Sequence, residues 1–222
     1  SKPPNPALTP PTYTNCPSLL FNQSLLIIFI KNPVWGEVKT RLAETVGNQQ
    51  ALKVYQQLLQ HTRQMTAPLP CTKWICYSQF IDQDDEWTSP PYEKHLQAGD
   101  DLGQRMQQIF HLAFARAYQY VLIIGSDCLE LSTEHLYEGF EKLQEPQTDM
   151  VIGPATDGGY YLLGMKQPQP GLFENIAWST PEVLAQTLNI ARQRKLTSAL
   201  LPALTDIDTY QDWLLCGGES LI

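Results

Sequence analysis

The chain alternates between short apolar runs and longer stretches in which apolar residues recur every three or four positions. SLLIIFI (24–30) shows no polar alternation, the pattern of a strand covered on both faces as in a parallel sheet. KWICYS, YVLII, DMVIG, GYYLLGM and TSALLPAL read as further strands. Between them, VKTRLAETVG is helical and stops at Gly47. NQQALKVYQQLLQHTRQM then places Leu52, Tyr55, Leu58 and Leu59 at helical spacing. Leu102, Met106, Ile109, Phe110, Ala113 and Ala117 mark one face of a helix over 102–118. STEHLYEGFEKL opens on Ser132 as N-cap, TPEVLAQTLNIARQ on Thr180 as cap with Pro181 in its first turn, and DTYQDWLL is a short closing helix. Strands alternating with helices predict a doubly wound α/β sheet with crossover helices on both faces, as a single domain over 23–222. Residues 1–22 read as a leader: six prolines in the first 18 positions exclude a helix or a central strand.

At 222 residues and 43% apolar content, such a domain can bury its own core without disulfides or a structural metal. The five cysteines show no C-x-x-C pairing, and the four histidines form no metal-binding spacing. A net charge of −8 argues against nucleic acid or an anionic membrane as partner, and no apolar run is long enough to span a bilayer. The class expected is a reduced, cytoplasmic enzyme or binding domain.

Ligands of open α/β sheets bind beyond the carboxyl ends of the strands, so the residues that follow each strand carry the functional reading. The first strand is followed by KNPVWGEVKTR, which gathers Lys31, Lys39 and Arg41 around Pro33 and Gly36. A tight loop there would bring backbone N–H groups and cations to a polyphosphate, although a solvated loop would look the same. It is neither a P-loop nor a Rossmann fingerprint. QAGDDLGQRM puts Gly99 and Gly103 around a helix start, where a nucleotide could approach, with Asp100 as a possible cap. YVLII ends on Gly125-Ser126-Asp127, and the last strand leads to Asp206 and Asp208 in LTDIDT. Mg²⁺ or Mn²⁺ bridging a polyphosphate needs one or two such carboxylates. Asp127 with Asp208 is the favoured pair, while one of Asp206 and Asp208 is expected to cap the closing helix. In GPATDGGYYLLG, Asp157, Gly158, Gly159 and Tyr160 suit either close contact with a ligand or a plain hairpin turn.

Taken in order, FIKNPVWGEVKTRLAETVG, QAGDDLGQRM, IIGSDCLEL, IGPATDGGYYLLGM, LFENIAWST and LTDIDTYQD resemble the motifs of a bacterial glycosyltransferase-A-like family. That family belongs to the nucleotide-diphospho-sugar transferases. The chain also looks similar to phospholactate and molybdenum-cofactor guanylyltransferases. The match runs from about Leu25 to Trp213 and implies a three-layer α/β/α fold with a mostly parallel sheet. It implies that Lys39 and Arg41 bind nucleotide phosphates, that Asp127 holds a divalent metal assisted by Asp208, and that the Asp157-Gly158-Gly159 turn faces the acceptor or the sugar. Two departures stand out: Leu129 replaces the family's usual proline, and the D-x-D pair of many metal-dependent glycosyltransferases is missing.

The resemblance favours glycosyl transfer from an NDP-sugar to a small acceptor, with Asp157 as the base if the reaction inverts. The alternative is nucleotidyl transfer, in which a sugar phosphate or phospho-acid attacks an NTP. Its nucleophile is already anionic, so the site needs extra cations such as Arg105 rather than a base. The third reading is a catalytically silent nucleotide-binding module. The partners expected are a nucleotide or nucleotide-sugar and a small acceptor.

Overall fold

The computed structural model describes residues 21–222. All but the last two residues of the proline-rich leader lie outside that range. Phe21 is already part of the core, its ring edge-on to Tyr137 and Phe140 at centroid separations of 5.2 and 5.3 Å.

Seven strands form one sheet: β1 (Ser24–Ile30), β2 (Thr72–Tyr77), β3 (Tyr92–Leu96), β4 (Tyr120–Ile124), β5 (Met150–Pro154), β6 (Tyr160–Met165) and β7 (Ser198–Leu200). Their order is β3-β2-β1-β4-β6-β5-β7. β3, β2, β1 and β4 run parallel, and β6 enters between β4 and β5 antiparallel to both. The helices are α1 (Thr40–Thr66), α2 (Leu102–Ala115), α3 (Thr133–Gln144), α4 (Val183–Gln193) and α5 (Tyr210–Leu215). β1 is buried along its whole length: Leu26, Ile28 and Ile30 face one core layer, Leu25, Ile27 and Phe29 the other. This is the three-layer, mostly parallel α/β fold expected. No helix among the described residues is long and apolar enough to cross a membrane.

Several local expectations are corrected. The edge strand β3, YEKHL, escapes the pattern because its middle residues are only half-buried and polar. β7 is only three residues long. α1 is interrupted at Gly47 (φ 82°, ψ 162°), as the sequence predicts, and continues beyond it. Asp101, not Asp100, caps α2 by accepting from Gln104 N. α4 begins at Val183, two residues after Pro181; just ahead of it the Thr180 hydroxyl donates to the Ala177 carbonyl (2.6 Å) and accepts from Glu182 N (3.3 Å). Ser132 does cap α3, in a reciprocal capping box with His135. The closing helix is capped by Thr209 with Asp212, so neither Asp206 nor Asp208 has that task.

Candidate functional site

The carboxyl ends of β1, β2 and β4 lie on one edge of the sheet, and antiparallel β6 starts there. A cleft of about 440 Å³ opens at that edge, lined by Lys31, Gln97, Arg105, Asp127 and Tyr160 among others. A smaller recess of about 220 Å³ adjoins it, sharing Lys31, Ser78 and Arg105.

At the rim Lys39 sits in the left-handed region (φ 51°, ψ 46°), where an L side chain strains the backbone by about 1–2 kcal/mol. The side chain is only 6% exposed, and Nζ meets Asp127 Oδ1 at 2.7 Å and donates to the Ile207 carbonyl at 2.6 Å. Ile207 N in turn donates to the Asp127 carbonyl at 2.7 Å. One buried cation thus ties the start of α1, the end of β4 and the 206–208 stretch together. Arg41, two residues on, is exposed and pairs with Asp208.

Asp206 is the carboxylate most altered by its surroundings. Burial first, then repulsion from Asp127, Asp157 and Asp208, push it up to about 7, although Lys39 opposes the rise. The side chain therefore holds a proton up to near-neutral pH unless more positive charge arrives. Oxygen donors of this kind suit a hard divalent cation. Among the described residues, however, no set of three or more Asp, Glu, His or Cys side chains is arranged to hold an ion unaided. The donor set fits a cation that takes one or two carboxylates here and the rest of its ligands from a phosphate chain.

Three residues that the sequence pattern does not mark as functional shape the cleft. The Tyr55 hydroxyl accepts from Lys31 N (2.8 Å), donates to Lys31 O (2.9 Å) and lies 3.3 Å from Ser126 Oγ. Burial, then the Asp127 charge, holds its phenol well above the usual value, so it stays a neutral bolt between β1 and β4. Asn32 is 2% exposed and accepts from Gln79 N (3.0 Å) and Phe80 N (3.3 Å) while donating to Phe80 O (2.8 Å). Gln97 closes the strand ends by donating to Ile30 O and Cys76 O. Its side-chain oxygen faces Arg105, whose Nε donates to Gly99 O at 3.0 Å. Tyr55 had read only as a helix-face residue. The K-N-P sequence was the one available hint of Asn32.

The glycines divide differently from expectation. Gly36 (φ 79°) and Gly99 (φ 135°) occupy backbone that disfavours a side chain. Gly103 is buried beneath Trp178: a Cβ there would lie 2.5 Å from the indole, so its small size serves packing rather than a nucleotide. Gly158 (φ 95°) faces Pro181 O, which a Cβ would meet at 2.2 Å. Asp157, Gly158 and Gly159 form the β5–β6 hairpin turn, with Gly159 N donating to Asp157 Oδ1 at 2.9 Å. Asp157 is exposed and outside the residues lining the cleft, whereas Tyr160 lines it.

The chain belongs to the family described as "Uncharacterized protein conserved in bacteria (DUF2064)", which matches residues 61–180. No curated protein matches it. A crystal structure from Desulfovibrio desulfuricans G20, provisionally named a nucleotide-diphospho-sugar transferase, is 35% identical. It superposes with a TM-score of 0.78 over 84% of this chain and 83% of that one. The 4-diphosphocytidyl-2C-methyl-D-erythritol synthase of Anaerococcus prevotii DSM 20548 is 9% identical (TM-score 0.57; 89% and 96% of the two chains). CMP:2-keto-3-deoxy-manno-octonic acid synthetase complexed with CTP is 10% identical (TM-score 0.52; 85% and 94%). At such identities these last two share the fold alone.

Proposed function

We propose that this member of the family is a metal-assisted transferase acting on a nucleotide-activated donor, and that the group moved is a glycosyl unit from an NDP-sugar to a small acceptor. The observation that carries this reading is the Lys39–Asp127 pair at the end of β4, opening onto a cleft with Lys31 and Arg105 on the β1–β2 side and Tyr160 on the β6 side. Cations on one side suit a diphosphate, and an aromatic ring on the other suits a sugar. The 35% identical structure's name supports the same class.

In this reading Lys31 and the Arg105 fork receive the diphosphate, with Gly36 and Gly99 allowing backbone to approach it. Lys39 fixes Asp127 in place. Arg41 can leave Asp208 for a phosphate oxygen, because that pair is exposed and weakly held. Asp127, with Asp206 or Asp208, would hold Mg²⁺ or Mn²⁺, which would supply charge stabilisation for the departing diphosphate. Asp206 is preferred as the second ligand over Asp208, because its carboxyl is buried among the Asp127, Asp157 and Lys39 charges while Asp208 is engaged by Arg41 at the surface. Asp157, exposed on the hairpin beside this group, is the candidate to take the acceptor's proton.

One observation favours nucleotidyl transfer as a second reading. Among the described residues that line the cleft, Asp127 is the one carboxylate, and it is already paired with Lys39. A phosphate nucleophile needs no base, and Lys31 and Arg105 would suit it.

Thermal unfolding against NTPs, NDP-sugars and free NDPs, each with and without Mg²⁺ or Mn²⁺, tests both. A ligand at about 100 times its dissociation constant stabilises by about 2.7 kcal/mol, roughly 5–10 °C for a chain of this size. A metal-dependent shift with one NDP-sugar, lost in Asp127→Ala, supports glycosyl transfer. A shift confined to an NTP replaces it with nucleotidyl transfer, and no shift at all leaves the silent module.

A further inference from the structure

The segment between the 3₁₀ turn Pro170–Phe173 and α4 carries the N-I-A-W-S-T motif, to which the reading above gives no task. Its stretch 176–181 is anchored at nearly every residue. Ile176 is buried, and Ala177 N donates to Gln186 Oε1 at 2.7 Å. Trp178 packs its indole onto the bare face of Gly103 on α2. The Thr180 hydroxyl donates to Ala177 O, and Pro181 lies against the bare face of Gly158 in the hairpin. Leu184 N, just beyond, donates to Gly158 O at 2.9 Å. This stretch is thus a strap wedged between two glycines, one on α2 and one in the β5–β6 hairpin.

Ser179 is the exception. Among the described residues it has no hydrogen-bond partner, it is exposed, and it lines the cleft. Its φ of 62° puts an L residue in the left-handed region, and the anchored neighbours on both sides impose that conformation. The cleft that it lines also carries the apolar or aromatic Leu102, Met106, Tyr160, Leu162 and Leu163. Pro181 sets the strap against the hairpin that carries the exposed Asp157 carboxylate, which disfavours a further anion there. A lone hydroxyl and N–H held rigidly on such a wall suit a neutral oxygen better than a carboxylate or phosphate.

We infer that Ser179 is a substrate-binding residue of the transferase proposed above, held out by the strap to hydrogen-bond a hydroxyl of the sugar carried by the nucleotide. The inference rests on the glycosyl-transfer reading, and the test separates the two. Dissociation constants are measured for UDP-glucose against UDP and for GDP-mannose against GDP, with Mg²⁺, on the wild type, Ser179→Ala and Ser179→Gly. The wild type is expected to bind one nucleotide-sugar more tightly than its matching diphosphate. Both variants lose about fivefold of that difference, the worth of one neutral hydrogen bond, while the diphosphate binds unchanged. Ser179→Gly also relieves the backbone, so its melting temperature stays level or rises, which excludes a folding defect as the cause. A sugar-dependent difference that survives in both variants overturns the role of Ser179. A wild type that binds the diphosphates with no sugar-dependent difference overturns it too. Failure of the wild type to bind any of the four nucleotides instead removes the glycosyl-transfer reading, and Ser179's role with it.

Discussion

Two cations two residues apart, Lys39 and Arg41, reach across to two carboxylates, and the pairs have almost nothing else in common. Lys39 is 6% exposed, stands on strained backbone, and adds the Ile207 carbonyl to its Asp127 contact. Arg41 is 66% exposed, stands on regular helix, and meets an Asp208 that is itself half in water. A K-x-R spacing gives both the same weight on paper. The fold spends strain on one and leaves the other to solvent, and strain kept against its cost points to use. The difference teaches that, in the function proposed, Lys39 would be the fixed cation and Arg41 the one free to move.

The largest test of that contrast is turnover on the substrate that thermal unfolding identifies. Lys39→Met is expected to lower kcat/KM by about 10²-fold or more, since it removes a fixed charge from a sheltered site. Arg41→Met should cost only about tenfold, mostly in KM, because an exposed fork is screened and replaceable. Equal losses would erase the distinction.

Next in size is the effect of Asp206 on stability. Its carboxyl sits at about 7 in the folded chain against an ordinary 3.8, so the folded state takes up a proton as pH falls. Its stabilising share is therefore complete below about pH 4 and is lost as pH rises through about 7. Asp206→Asn stays neutral throughout. Relative to wild type its melting temperature should rise from about pH 4 and level off above about 7, where the gain is on the order of 2 kcal/mol. Urea unfolding at pH 4, 6 and 8 measures this. A gain that is the same at all three pH values would show that burial and the acidic neighbours do not set this titration. Mg²⁺ should stabilise the wild type more at pH 8 than at pH 5 and Asp206→Asn less than the wild type at pH 8, which joins this carboxylate to the metal reading.

How much of this was legible in the chain follows from how local each cause is. β1 and β4 are unbroken apolar runs, and the Lys39 and Asp127 loops follow them directly, so sequence alone could suspect that neighbourhood. The antiparallel insertion of β6 between β4 and β5 has no local signature, because strand order is decided by packing. Asp206 and Asp208 are indistinguishable by spacing. They are told apart by their partners: Asp208 pairs with the exposed Arg41, whereas the Asp206 carboxyl is buried among the Asp127, Asp157 and Lys39 charges. Gly103 and Gly158 looked like ligand contacts because glycine marks close approach of any kind. What approaches is Trp178 and Pro181, some 75 and 23 positions along the chain. Tyr55 lay hidden as one more apolar position on a helix face.

The smallest test returns to the two pairs in the absence of any ligand. Asp127→Ala leaves the Lys39 ammonium with a carbonyl partner alone and should cost about 1–2 kcal/mol. That is below the 3–5 kcal/mol of a fully buried pair, because Asp127 is 45% exposed. Asp208→Ala strands only an exposed guanidinium and should cost less than about 0.5 kcal/mol. Salt sharpens the contrast. Raising ionic strength from 0.05 to about 1 M shortens the screening length to about 3 Å, so any worth of the Arg41–Asp208 pair should vanish, while the sheltered Lys39–Asp127 pair keeps most of its own. Denaturation midpoints of the two variants at both salt concentrations read this directly. If the Asp127→Ala cost disappears in salt as well, Lys39 is held by water-screened attraction, and the strain at its backbone needs another cause.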